Sequence, residues 1–540
     1  MSWLNRTRMT AGASVLAATA LAGVALTALG PGGGAGGDRS PAVNATAPAE
    51  CPHLAAPGGE EGRELRGMWI STVGNIDWPK DPGASAAEQK EQYTRLLDRA
   101  AEMNMNAVFV QIRPNSDAFY DSPHEPWSQW ITGEPGKDPG YDVLQFLLDE
   151  AHARNLEFHA WFNPYRVSRQ TDLKKLAPGS PARENPEWVR EYGDGLWYDP
   201  GIPQVRELVT TSVLDVVNKY DIDAVHFDDY FYPYPESGDF PDDASYRDHG
   251  DGQDRDDWRR DNVNTLVRDL SGDIHDAKPW VQFGISPFGV WRNANTDPAG
   301  SDTRALQSYD DIYADTRTWI EEGWIDYVTP QLYWPIGDPA ADYAELVGWW
   351  SEQVEGTDVR LYIGQGAYRV GQGGAWDDPA ELSRHLTLND KHPQVDGDVY
   401  FSASSLMDNT DGFATRLREE HYQRPAIPPV VQPHGDDADE EETAPAPARG
   451  VTARPHAEGL EVRWEPSPDA ASHAVYRVDG RGGECAEVDP DRLIADVRGG
   501  GIIDPGAEPG RTYTYYVTAV DRYHRESPPA RGATATAPEG

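Results

Sequence analysis

The sequence predicts an α/β chain, a (β/α)8 TIM barrel followed by a small all-β, immunoglobulin-like sandwich. Three observations predict it. Eight short apolar runs fall between residues 66 and 403, with helix-period stretches between them. An acidic, Ala/Pro-rich stretch at 428–450, "PPVVQPHGDDADEEETAPAPARG", reads as a solvated linker. Beyond it, "LEVRWEPSPD", "HAVYRVDG" and "TYTYYVTAVDRYHRESPPA" alternate apolar and polar residues between turn formers.

The strand-like runs are 66–73 "RGMWISTV", 107–113 "AVFVQIR", 157–162 "EFHAWF", 223–228 "DAVHFD", 280–286 "WVQFGIS", 326–333 "DYVTPQLY", 359–364 "VRLYIG" and 398–403 "DVYFSA". Apolar residues at helical spacing occupy 86–104, 141–155, 203–220 and 256–276. No glycine-rich phosphate turn follows the first run, which argues against an open doubly wound sheet. In a barrel the chemistry lies at the C-terminal ends of the strands. The loops 163–202 and 229–255, after the third and fourth strands, are long enough to build a groove.

The N-terminus reads as an export signal or anchor. Arg6 and Arg8 precede the apolar "AGASVLAATALAGVALTALG". No later segment approaches a span of about 20 apolar residues. The expected organisation is a signal or anchor at 1–30, a Gly/Ala/Pro-rich tether at 31–61, the (β/α)8 barrel at 62–425, a linker at 426–450 and the β-domain at 451–540, in a secreted or envelope-associated protein. Lys plus Arg total 47 against 90 Asp plus Glu, a formal charge of -43, which argues against nucleic acid as a partner. Cys51 and Cys485 are the sole cysteines. They either pair, tying the N-terminal segment to the β-domain, or remain free thiols. They cannot build a zinc site, and His152 and His159 lie on different elements, so neither metal nor cofactor is expected. The 18 Trp and 25 Tyr serve either core packing or stacking on sugar rings.

The strand ends carry carboxylates, amides, arginines and aromatics, the composition of a sugar groove. Candidate substrate-binding residues are Asn75, Arg113, Trp161, Asn163, Arg166, His226, Tyr230, Tyr232, Gln331, Tyr333 and Trp334. Glycoside cleavage usually needs two carboxyl groups flanking the bond. Candidates are Asp228, Asp229, Asp117, Asp77 and Glu236. In a regular strand Asp228 and Asp229 point to opposite sides. They are therefore not expected to form a simple dyad, and Asp117 is the first choice for the second carboxyl. Each acid also has a bland reading: Asp228 and Asp229 as ion-pair partners at the mouth, Asp117 as a turn residue. Arg113 and Arg166 either neutralise an Asp or grip a substrate carboxylate. His226 reads as a satisfied strand-end histidine more readily than as a base.

"ELRGMWISTVGNIDWP", "FVQIRPNSDAFYDS", "HAWFNPYR", "DDYFYPYP", "GISPFGVWRN" and "TPQLYW" together resemble glycosyl hydrolase-like family 10, over about residues 62–423. Trp464, Tyr476 and Tyr513–Val517 resemble a fibronectin type III module. The first resemblance implies an exported or envelope-bound barrel acting on glycans, with bacterial cell-wall strands the substrate of some members. It puts Asp228 and Asp229 in the family's acidic strand-end motif and Asp117 in its second-strand motif. "SPFGVWRN" holds no carboxylate, so the second acid must come from elsewhere than the fifth strand. The reading is a glycoside hydrolase with Asp228 as nucleophile or base and Asp117 or Asp229 as the protonated acid. The alternatives are a non-catalytic glycan-binding protein and a metal-dependent deacetylase.

Overall fold

The computed structural model describes residues 51, 54–57, 62–432 and 444–539. The expected signal at 1–30 and most of the tether lie outside the described residues. Eight parallel strands close into a barrel: Leu65–Ile70, Ala107–Arg113, Glu157–Phe162, Ala224–Phe227, Gln282–Ile285, a sixth split into Tyr327–Val328 and Gln331–Leu332, then Arg360–Gln365 and Val395–Tyr400. Each pairs with the next, and the eighth pairs with the first. All eight apolar runs thus become barrel strands. They read as continuous runs because both faces are buried, one in the barrel and one under the helices.

The helices include Ala86–Glu102, Val143–His152, Pro203–Lys219 and Arg255–Ala277. The first starts at a capping box, in which Ser85 and Glu88 satisfy each other's backbone N–H. Val209, Val213, Val216 and Val217 of the third helix are buried on its inner face. Inside the barrel, Trp69, Phe109, Trp161, Tyr327 and Tyr362 pack together. A polar thread crosses this core. Glu157 meets His159 Nε2 at 3.2 Å, His159 Nδ1 meets the Tyr327 hydroxyl at 2.9 Å, and Tyr327 meets His226 Nδ1 at 3.1 Å.

The C-terminal residues form two antiparallel sheets of three and four strands, 449–504 and 472–536 in extent. Leu460, Val462 and Trp464 of one sheet share a core with Val475, Tyr515 and Val517 of the other. This domain meets the barrel at the N-terminal ends of its strands, away from the mouth. Arg498 pairs with Asp223 at 3.1 Å, His524 pairs with Glu157, and Asn155 donates to Asp496 at 2.9 Å. Cys51 and Cys485 are disulfide-bonded. The expected linker begins differently from its composition. Ala426 to Pro429 and Val431 are buried, and Arg360 donates to the Val430 carbonyl at 2.8 Å. This segment lies between the two domains: the Ile427 carbonyl takes the Glu64 N–H of the barrel, while the Ile427 side chain packs with Tyr476 and Tyr516 of the β-domain; residues 433–443 lie outside the described residues.

Candidate active site

The mouth is organised around Asp228. The fourth strand ends at Phe227, so Asp228 and Asp229 lie beyond the strand and its alternation no longer governs them. This corrects the expectation that they point apart. The Asp229 backbone N–H donates to Asp228 Oδ1 at 2.9 Å, which holds the two residues against each other. Burial, then the negative charge of the adjacent Asp228, push the Asp229 carboxyl well above the usual carboxylate range. Tyr234 donates its hydroxyl to Asp229 Oδ2.

Asp228 is half-buried and is held by amides rather than by a cation. Asn163 Nδ2 donates to its Oδ2 at 2.8 Å, and Gln331 Nε2 approaches its Oδ1 at 3.5 Å. Gln331 is itself fixed by the Ser286 carbonyl at 2.9 Å. Asn163, fully buried, also donates to the Tyr230 hydroxyl at 2.7 Å. Behind it stands Gln111, whose Oε1 accepts the Thr72 and Val73 backbone N–H at 3.0 and 2.9 Å. Gln111 was missed from sequence, although a signal was present. It is a polar residue two positions from inward-facing Phe109, in an otherwise apolar strand.

Aromatic rings surround this centre. Tyr333, whose hydroxyl feels the charges of Asp228 and Asp229, stacks near Phe401 at 6.3 Å and meets Tyr368 edge-on at 5.7 Å. Trp334 packs edge-on against Phe288 at 5.5 Å, and Tyr234 meets Phe288 at 6.2 Å. Tyr230 carries Arg166 over its face at 4.2 Å and meets Trp197 at 5.5 Å. Phe288, Phe401, Tyr234 and Trp197 were not singled out from sequence.

Several expected site residues do other work. Arg113 is fully buried and grips Glu125 with two nitrogens, at 2.6 and 2.5 Å. A third nitrogen binds the Asn163 and Pro164 carbonyls, so Arg113 holds the second and third loops together and cannot reach a substrate. His226 is fully buried beneath the mouth among Trp69, Ser286 and Tyr327, and burial drives its pKa well down. Tyr232 is 1% exposed and packs on Phe240 and Tyr313, so it forms no stacking wall. Trp161 belongs to the barrel interior, not to a wall, and its indole N–H has no partner among the described residues. Asn75 spends its amide on the Pro79 and Trp130 carbonyls, at 2.6 and 2.8 Å. Asp77 accepts from the Ser71 and Ser404 N–H and the Ser402 hydroxyl, joining the first and eighth loops. Glu236 lies exposed on the fourth loop.

Asp117 sits half-buried in the second loop, taking the Ser128 hydroxyl at 2.7 Å on one oxygen while the other is buried without a partner. Burial pushes its pKa up to about 7, against the Ser128 hydrogen bond. The charges that act on it are Glu125 and Arg113. Among the described residues no group of three or more His, Cys, Asp or Glu side chains could hold a metal, and no helix is long and apolar enough to cross a membrane.

Residues 64–380 match the model of the family described as glycosyl hydrolase-like 10. The chain is 47% identical over 485 residues to glycosyl hydrolase YngK of Bacillus subtilis, covering 87% of this chain and 93% of that protein. It is 41% identical over 375 residues to glycosyl hydrolase DigH of Escherichia coli K12, covering 64% of this chain and 84% of that one. Among solved structures, the glycoside hydrolase domain of PgaB from Bordetella bronchiseptica is similar at 14% identity and a TM-score of 0.44, over 66% of this chain and 98% of that one.

Proposed function

Because the chain belongs to the glycosyl hydrolase-like 10 family, we propose that it is an exported glycoside hydrolase of bacterial cell-wall glycan strands, working through Asp228 at the barrel mouth. The observation that carries the site assignment is the setting of Asp228. A carboxylate at the barrel mouth is surrounded by neutral donors, with a second carboxyl of raised pKa beside it and aromatic rings around it. Neutral donors orient a carboxylate without tying up its charge as an arginine would. Asp228 acts as the nucleophile or base.

Two carboxyls that flank a glycosidic bond stand about 5–5.5 Å apart in retaining enzymes and about 6.5–9.5 Å in inverting ones. Asp228 and Asp229 are neighbours in the chain, joined by the Asp229 N–H on Asp228 Oδ1, so they act as one unit on one side of the bond. We assign the acid role to Asp117 of the second loop, where burial raises the carboxyl pKa to about 7, so that it keeps its proton in part at neutral pH. The N-terminal apolar stretch and the Cys51–Cys485 bond support an extracytoplasmic location. The seven C-terminal strands, three and four to a sheet, support a fibronectin type III-like module.

The test is release of reducing ends from purified peptidoglycan glycan strands. Wild type releases them, and Asp228→Asn lowers the rate about 10²–10⁴-fold. If neither protein releases ends while both bind strands, the hydrolase assignment on this substrate is wrong.

A further inference from the structure

We propose that Arg166 and Arg169 form an anion subsite beside Asp228, built to take a carboxylate carried on a sugar ring. The proposal rests on the glycosidase reading and names a chemical feature of the substrate. In a chain with 90 acidic and 47 basic residues, arginines commonly carry acid partners. Arg113, Arg259 and Arg292 each have a carboxylate oxygen within 3 Å. Arg166 and Arg169 break that pattern. Among the described residues neither side chain makes an ion pair or a hydrogen bond, although both stand near the most acidic point of the mouth.

Their placement is not that of solvent-facing arginines in general. Arg166 is half-buried, with its guanidinium 4.2 Å from the centre of the Tyr230 ring and 5.0 Å from that of Trp197. Held over two rings, its fork of N–H donors is oriented before any ligand arrives. Arg169 reaches from the third loop towards the first, and its Nη1 would lie 3.2 Å from a Cβ at Gly74. Both cations act on the Tyr230 hydroxyl. That hydroxyl shares the Asn163 amide with Asp228, at 2.7 and 2.8 Å. Tyr230 and the Asn163 amide thus connect the Arg166 guanidinium to the Asp228 carboxylate. A sugar beside Arg166 would present a ring substituent to its guanidinium while a neighbouring bond lies at Asp228.

The planar, two-oxygen geometry of a carboxylate matches a guanidinium fork. Two sugar chemistries supply it: a lactyl ether on an amino sugar, or a uronic acid. A neutral sugar leaves the two cations unmatched.

Binding to the full-length Asp228→Asn protein is measured by calorimetry with four ligands. They are peptide-free peptidoglycan strands, the same strands with their carboxylates reduced to alcohols, oligogalacturonate, and neutral chitin oligosaccharide. The subsite requires the free-acid strands or the uronate to bind about 10–100-fold tighter than the neutral ligands. Whichever acid shows the gap identifies the source of the carboxylate. The gap closes when Arg166→Gln and Arg169→Gln are added, and it narrows in 0.5 M salt. Arg169→Gln alone, at an exposed position, shows part of the loss without a folding risk. Equal binding of acidic and neutral ligands, or a gap that survives both substitutions, overturns the proposal. Failure of the hydrolase reading looks different. Wild type then cleaves neither native nor reduced strands, whatever they bind. If wild type cleaves both with the same KM, the hydrolase reading stands and the subsite alone falls.

Discussion

Gln111 Nε2 donates to Asn163 Oδ1 at 2.6 Å, and this contact sets which end of the Asn163 amide faces Asp228. Two backbone N–H groups from the first loop hold Gln111 Oε1, so the Gln111 amide cannot turn over without leaving them unpaired. Its NH2 must face Asn163, and the Asn163 NH2 must then face Asp228. The first three strands thus cooperate to present one donor to a carboxylate on the fourth.

Gln111→Glu removes that NH2 with almost no change of shape. We expect kcat to fall about 10–100-fold with KM within about twofold, the size of one charged hydrogen bond. Asn163→Ala should cost a similar factor. The double variant should be no worse than the worse single one, because Gln111 acts through Asn163. Additive losses in this cycle would assign Gln111 a separate role.

Asp229→Asn keeps a neutral donor beside Asp228 but removes the titrating proton. A carboxyl whose folded pKa is raised contributes a penalty that grows as pH rises from the ordinary carboxylate range towards the folded value. We expect wild type to lose stability as pH rises from the ordinary carboxylate range to the raised pKa of Asp229, and to lose activity once Asp229 ionises next to Asp228. In Asp229→Asn that limb flattens. A pH–rate profile together with melting curves at pH 5, 7 and 9 reads both effects; an unchanged alkaline limb contradicts the assignment.

Asp117 offers a test in which stability and activity move in opposite directions. Its carboxyl titrates at about 7, so ionising it in the folded state costs roughly 2–4 kcal/mol above pH 8, and nothing at pH 3 where both states are protonated. Asp117→Asn should therefore raise stability at pH 8, leave it unchanged at pH 3, and still lower the rate of strand cleavage about 10²–10⁴-fold. Denaturant melts at the two pH values check the first part, and reducing-end assays the second.

The Arg113–Glu125 pair is buried on both sides, with neither side chain exposed. Removing one partner strands a charge, so Arg113→Met or Glu125→Gln should cost about 3–5 kcal/mol in chemical denaturation. Arg113→Lys should not restore stability, because one ammonium cannot serve two carboxylate oxygens and two carbonyls. Any variant that remains folded should bind glycan with the KM of wild type. A selective rise in KM would return Arg113 to the substrate groove.

The eight strand runs, four principal helices and the position of "HFDDY" at a strand end were legible in the sequence because burial imposes local periodicity. A strand covered on both faces must be apolar throughout, and a helix against it must be apolar every three or four residues. Gln111 was also legible in principle, as an inward polar residue among Val and Phe. The tertiary structure decided the rest. Tyr230 and Tyr232 are two residues apart in one motif, yet one lines the mouth beside Arg166 and the other packs under Phe240. Arg113 takes Glu125, 12 residues on, instead of an aspartate of the mouth. Asp228 and Asp229 meet because the strand stops one residue earlier. In each case the side chain is aimed by a loop, and a loop has no period. Its path is set by contacts with distant residues, such as Asp77 with Ser402, that no short stretch of sequence contains.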